Sequence, residues 1–142
     1  MIRYLARMWG YAGESILDQC RVDMIADAVE DQIVRNSVLI RREQDEEKKK
    51  ERVRIFDEEQ LPTIFKHLEK QLISNNGGDG YFVGDKMTWC DILFSHWCSW
   101  VPDGVQITPP FDKFPKLKAL KERVESHPKI AEWLKKRPVT DL

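Results

Sequence analysis

Between residues 88 and 100 the chain carries Trp89, Ile92, Leu93, Phe94, Trp97, Cys98 and Trp100, so a helix built from this stretch has apolar side chains all round. Such a helix has no wet face and must be surrounded by other elements, which places it at the centre of the fold. The rest of the chain supplies the surround. Leu61, Ile64, Phe65, Leu68 and Leu72 step by three and four and predict a helix over 50–73, kinked where Pro62 removes a backbone donor and crowds the preceding turn. Another long helix starts after Ser15, a good N-cap with Asp18 three residues on, and runs to 36 or as far as 42. It carries two apolar series: Ile16, Cys20, Met24, Ala28, and Val22, Ile25, Val29, Ile33. Shorter helices are expected at 2–9, 116–125 and 129–136, and no segment alternates as a strand would. The expectation is an all-α bundle of five to six helices.

The 142 residues suit one domain with a sizeable core. Basic and acidic side chains nearly cancel, with 23 against 24, which removes the electrostatic case for nucleic acid or an anionic membrane as partner. The charged run 41–54 mixes both signs and reads as solvated helix or connecting loop. No apolar run approaches the length of about 20 residues that crosses a bilayer. Residues 2–9 read better as a helix than as a mitochondrial presequence. Cys20, Cys90 and Cys98 match no metal or disulfide spacing, so reduced thiols and a cytoplasmic location are expected.

Candidate chemistry is sparse. Asp23, Asp27, Glu30 and Asp31 fall at i, i+4, i+7 and i+8 and form one acidic stripe on the long helix. Four like charges on one face repel, so the stripe is a solvated face, a divalent-cation site or the complement of a cationic group. Thr88-x-x-Asp91 is a helix-start box, with Met87 placed to staple against Ile92. His67, His96 and His127 stand apart from one another, and nothing near Cys98 in sequence would lower its thiol pKa. No serine-protease triad, phosphate loop or HExxH is present.

Four segments, in order, resemble one family. These are Arg3-Tyr4-Leu5-Ala6 followed by Gly10-Tyr11-Ala12-Gly13; residues 19–31, QCRVDMIADAVED; residues 80–91, GYFVGDKMTWCD; and residues 130–142, IAEWLKKRPVTDL. Together they are similar to sigma-class glutathione transferases, including the haematopoietic prostaglandin D synthase branch. The resemblance implies the C-terminal helical domain over 14–142. Residues 1–13 would be the end of the last helix of a thioredoxin-like N-terminal domain and the linker after it. The domain that activates the glutathione thiol with a tyrosine hydroxyl would then be absent, so no catalytic residue carries over and the chain alone is expected to be inactive.

The resemblance also assigns roles. Asp31 would reach across a homodimer to the amino group of the partner's glutathione, the co-substrate. Ile33, Cys98 and Leu142 would line the pocket for a hydrophobic electrophile. Asp27, Glu30 and Asp31 would hold a divalent metal, with Glu30 standing where that branch carries an aspartate. The function implied is a pocket and dimer interface for glutathione conjugation or isomerisation. The alternative is a non-enzymatic interaction or dimerisation module. In either case Ile2, Leu5, Met8, Trp9 and part of the long helix should form an exposed apolar patch.

Overall fold

The structure, a computed structural model, describes residues 1–99 and 108–138. Among these, every regular element is helical: α1 (Ile2–Met8), α2 (Ile16–Val29), α3 (Arg35–Arg42), α4 (Glu46–Ile55), α5 (Leu61–Ser74), α6 (Trp89–Ser99), α7 (Pro115–Glu125) and α8 (Pro128–Lys136). Two π turns, Glu30–Val34 and Phe56–Gln60, join α2 to α3 and α4 to α5 without a break. The eight segments therefore form six rods.

The start of α2 is a reciprocal capping box. The Asp18 amide donates to Ser15 Oγ at 3.0 Å, and the Ser15 amide donates to Asp18 Oδ2 at 3.2 Å. Gly13 makes the approach to it: φ is +104°, and a Cβ there would lie 2.9 Å from that of Asp18. The rod beginning at α4 starts earlier than the apolar pattern suggested. Asp45 caps it, accepting the Glu47 and Lys48 amides at 3.0 and 3.2 Å, so most of the charged run 41–54 is solvated helix.

Where a kink was expected at Pro62, the rod passes through a π turn, and the proline stands in the first turn of α5. The Leu61 amide reaches back to the Phe56 carbonyl, the i to i−5 pattern of a π turn. The Thr63 hydroxyl then donates to the Glu59 carbonyl at 3.0 Å. The other π turn contains neither proline nor glycine. Carbonyls within it accept side chains from the next turn, Ser37 Oγ to Ile33 O at 2.9 Å and Asn36 Nδ2 to Gln32 O at 2.6 Å.

The core lies between α2, α5, α6 and α7. Phe65 of α5 is its aromatic hub, with ring centroids 5.8, 5.7 and 5.7 Å from Phe94, Phe111 and Phe114. Phe82 meets Phe94 edge-on. The first half of α6 is central, with Cys90, Asp91 and Phe94 inaccessible to solvent. Its second half departs from the expectation: Trp97 and Cys98 are half-buried and His96 is exposed. Only one of the two apolar series on the α2 rod faces inward. Val22, Ile25, Val29 and Ile33 are buried, whereas Ile16, Cys20, Met24 and Ala28 are exposed.

Candidate functional site

The Asp91 carboxylate positions the start of α6. Its Oδ2 accepts the Thr88 amide and the Thr88 hydroxyl, both at 2.7 Å, and its Oδ1 accepts the Phe82 amide at 2.8 Å. The threonine hydroxyl thus donates to the carboxylate, whereas the threonine of a capping box ordinarily accepts a backbone amide. Burial pushes the Asp91 carboxyl up from its usual range, and these donors oppose the shift. The next amide, that of Trp89, donates to the Tyr11 carbonyl at 2.9 Å, so the linker after α1 is fastened to the same helix end.

Beside this end stands the acidic stripe of α2. Arg3 of α1 meets it with Nε 3.3 Å from Asp23 Oδ1 and Nη2 hydrogen-bonded to Asp27 Oδ1. Arg7 approaches Asp23 at 3.9 Å. The Arg3 guanidinium also lies over the Trp89 ring, 5.3 Å from its centroid. One arginine therefore ties α1 to both α2 and α6. Of the uses left open for the stripe, a cationic complement is what the fold supplies for Asp23 and Asp27.

The other carboxylates are placed differently. Asp31, on the π turn, is exposed and pairs with Arg35 at 3.2 Å. Glu30 is exposed and makes no ion pair among the described residues. Asp27, Glu30 and Asp31 do not fit a metal: no three His, Cys, Asp or Glu side chains gather as a ligand set among the described residues. Asp27 is engaged by Arg3 and Asp31 by Arg35, which leaves no convergent set of carboxylate oxygens.

The pocket residues expected from sequence are distributed as follows. Ile33 is buried in the core, 6% exposed. Cys98 faces α7, beside Lys121 and Glu125; burial raises its thiol pKa, Lys121 opposes the shift and Glu125 adds to it. Such a thiol is a poor nucleophile. Glu125 itself accepts Ser99 Oγ at 2.7 Å and Lys121 Nζ at 2.8 Å. Leu142 lies outside the described residues. Burial, with a contribution from Arg137, lowers the His96 pKa.

A cleft of about 350 Å³ opens between α1, α2 and α6, bordered by Ile2, Arg3, Ala26, Asp27, Glu30, Trp89 and Leu93. The Trp89 indole Nε1 is buried and has no hydrogen-bond partner among the described residues. Sequence reasoning took Trp89 only as core. The signal that could have found it is chemical: an indole N–H on an otherwise apolar helix needs an acceptor.

Comparison with known proteins bears on what this arrangement serves. A family model described as "Glutathione S-transferase, C-terminal domain" matches residues 31–137. S-crystallin SL11 of Nototodarus sloanii is 35% identical over 136 residues, covering 95% of this chain and 64% of its own length. S-crystallin 4 of Enteroctopus dofleini is 33% identical, covering 100% of this chain and 69% of its own length. Hematopoietic prostaglandin D synthase of Gallus gallus is 33% identical, covering 99% of this chain and 66% of its own length. Among solved structures, prostaglandin synthase D of Nilaparvata lugens superposes with a TM-score of 0.81 at 29% identity, over 98% of this chain and 67% of that one. Rat hPGDS complexed with a quinoline gives 0.80 at 26% identity, over 99% and 66%. The chain thus spans less than two thirds of the length of the first of these relatives, 64%.

Proposed function

The chain belongs to the glutathione S-transferase family, through that family's C-terminal domain, and on that premise we propose that it forms the helical half of a sigma-class transferase. Residues 14–142 are that domain, and residues 1–13 are the end of the preceding domain's last helix with its linker. The domain contributes the wall of a hydrophobic-electrophile pocket and one side of a cytoplasmic homodimer. No catalytic residue is assigned to it.

Asp31 is the observation that carries this proposal. Its carboxylate stands on the π turn, exposed, beside a stripe whose upper members are already engaged by Arg3. The only ion pair it makes among the described residues is with Arg35, and both side chains are more than half exposed, at 60% and 73%. Exposed pairs of this kind are worth about 0–1 kcal/mol, so an incoming ammonium can take Arg35's place at little cost. The amino group of the partner subunit's glutathione is such an ammonium. On the same reading Ile33, Cys98 and Leu142 belong to the electrophile wall, Leu142 lying outside the described residues. The work of these residues is to hold one reactant against another and to exclude water, for conjugation or isomerisation.

The test is glutathione-agarose retention of the chain, with a conjugation assay on the eluate and sedimentation to measure association. Concentration-dependent dimers without turnover are the expected result. Turnover by the chain alone would require a thiolate-activating group within these 142 residues and would overturn the assignment.

One observation favours a second reading, that of a non-enzymatic interaction module. Ile2, Tyr4, Met8, Trp9, Ile16, Leu17 and Met24 are all exposed, whereas Leu5, expected among them, is half-buried. Under the first reading a glutathione-binding domain covers this apolar surface, and under the second a different protein does. Association that saturates at the same concentration with and without glutathione, and that Asp31→Asn leaves unchanged, favours the second.

A further inference from the structure

The chain has three asparagines, Asn36, Asn75 and Asn76, and the fold holds them differently. Asn36 lies in α3, where its Nδ2 donates to the Gln32 carbonyl at 2.6 Å. Asn75 follows α5, and its Nδ2 donates to the Tyr81 and Gly84 carbonyls at 2.9 and 2.6 Å, which closes the loop between α5 and α6. Asn76 is exposed, and its side-chain amide makes no hydrogen bond among the described residues. Its φ of +49° lies in the left-handed region, which no other non-glycine among them adopts. The next residue, Gly77, is exposed as well, and a Cβ there would meet nothing within 4 Å. The Gly78 and Asp79 amides turn back to the Asn75 and Asn76 carbonyls at 2.9 and 3.4 Å, whereas the Gly77 amide donates to nothing among the described residues.

An unengaged backbone N–H thus directly follows an unengaged side-chain amide, with no side chain to obstruct their meeting. We propose that Asn76 is a site of spontaneous deamidation. Hydroxide takes the Gly77 amide proton without breaking a hydrogen bond, and the nitrogen attacks Asn76 Cγ within the same chain segment. The N–Cγ bond forms, the Cγ–Nδ2 bond breaks, and Nδ2 leaves as ammonia with a proton from water. Water then opens the succinimide at either carbonyl, giving aspartate or isoaspartate. Water is the only co-reactant. Ring closure requires rotation about the Asn76 Cα–C bond, and the contact that must yield is the long one from the Asp79 amide. The product adds one negative charge to a chain of formal net charge −1. Isoaspartate also inserts a methylene into the backbone between Asn75 and Asp79, whose carboxylate is anchored on Lys116 at 2.6 Å. Neighbouring groups are protected. Cyclisation at Asn75 would release two hydrogen bonds, and at Asn36 it would break a helix. Asp79 also precedes a glycine, but Lys116 holds its carboxyl below the usual range, and a carboxylate is a poor electrophile.

The test is incubation of the folded full chain at mildly alkaline pH, then tryptic digestion and mass spectrometry of the peptide 71–86, which contains Asn75, Asn76 and Asp79. A mass gain of about 1 Da is expected, placed on Asn76 by fragment ions, growing with time and growing faster at higher pH. Electron-transfer fragmentation should find isoaspartate at that position. The synthetic peptide 71–86 supplies the rate without the fold, and the folded chain should convert within about tenfold of it. Asn76→Asp suits the same left-handed backbone and has no amide to lose, so its peptide should keep a constant mass. A folded chain that stays intact while the free peptide converts overturns the proposal. So does a gain placed on Asn75 or Asn36 instead, or one that persists in Asn76→Asp.

Discussion

The Oδ1 atom of Asp91 accepts the backbone amide of Phe82 at 2.8 Å, across nine residues of chain, while its other oxygen caps α6 at Thr88. One carboxylate therefore fixes both the start of the central helix and the loop that carries Phe82 into the core. Replacing Asp91 with Ala leaves two amides without acceptors in a region closed to water. Each such orphan costs about 1–3 kcal/mol, so Asp91→Ala should lose about 3 kcal/mol or more in urea unfolding. Asp91→Asn keeps an acceptor oxygen and should lose distinctly less. Equal losses for the two variants would show that both carboxylate oxygens are needed as acceptors, since asparagine preserves the packing.

Arg3 makes a different kind of contact, half-exposed and made of several weak parts. Its ion pairs with Asp23 and Asp27 and its stacking on Trp89 should each contribute no more than about 1 kcal/mol. Arg3→Ala should therefore change global stability little. It should nevertheless release α1, because α1 is short and only Ala6 within it is buried. Hydrogen exchange at the amides of Leu5 and Trp9 is the measurement, and faster exchange there with unchanged exchange in α5 is the expected pattern. Arg3→Lys should behave nearly as Ala does, since an ammonium restores the charge but not the planar stack or the fork.

These two corners differ in how much of them could be read beforehand. The Thr88–Asp91 box was legible because capping is local and its spacing fixed. Its extension to Phe82 was not, since nothing in sequence says which loop will pass within reach. The acidic stripe left three uses open, a cationic complement among them, and that complement, Arg3, sits twenty residues upstream of Asp23 in a helix read only for its apolar side. The six-rod bundle followed from periodicity. Pro62 marked an irregularity that the structure places as a π turn just before it, whereas the π turn at Glu30–Val34 contains no breaker and shows itself only in the backbone. Two apolar series on the α2 rod were equally good candidates for burial. Which of them faces α6 is a tertiary outcome, and the exposed one, Ile16, Cys20, Met24 and Ala28, could not be told from the buried one by hydrophobicity.

The carboxylates at helix ends and in surface pairs set the acid response. Hydrogen bonds from the Ser15 side chain and backbone hold Asp18 below its usual 3.8; the Asp45 amide lowers Glu43, Arg54 lowers Glu51, and Lys116 lowers Asp79. A depressed folded value means that each contributes stability above its unfolded value, lost as pH falls through the folded one. Asp91 has the opposite sign: its raised value favours the protonated folded form at low pH and gives that stability up as pH rises. Asp57, raised by burial, shares the sign of Asp91; the four lowered carboxylates outnumber these two, so the melting temperature should fall from about pH 5 downward. Asp18→Asn should flatten that fall, and Ser15→Ala should lower stability at neutral pH by about 1 kcal/mol through loss of the cap.

The exposed apolar end of the molecule makes the sharpest separation between folding and association. Trp9 and Leu17 are 68% and 59% exposed, so neither contributes much to the core. Replacing both with Ser should change stability by less than about 0.5 kcal/mol per site, as surface substitutions do. If the surface is covered by a partner or a further domain, the same changes should greatly weaken that association, because an apolar interface owes its affinity to a few large side chains. Sedimentation of the native chain against the double variant, alongside urea unfolding of both, measures the two effects independently. Loss of association with stability intact would identify this face as a docking surface. Loss of stability would mean that Trp9 and Leu17 are structural despite their exposure, and that the linker and the start of α2 are held to the bundle by more than the capping box at Ser15 and the Tyr11 carbonyl.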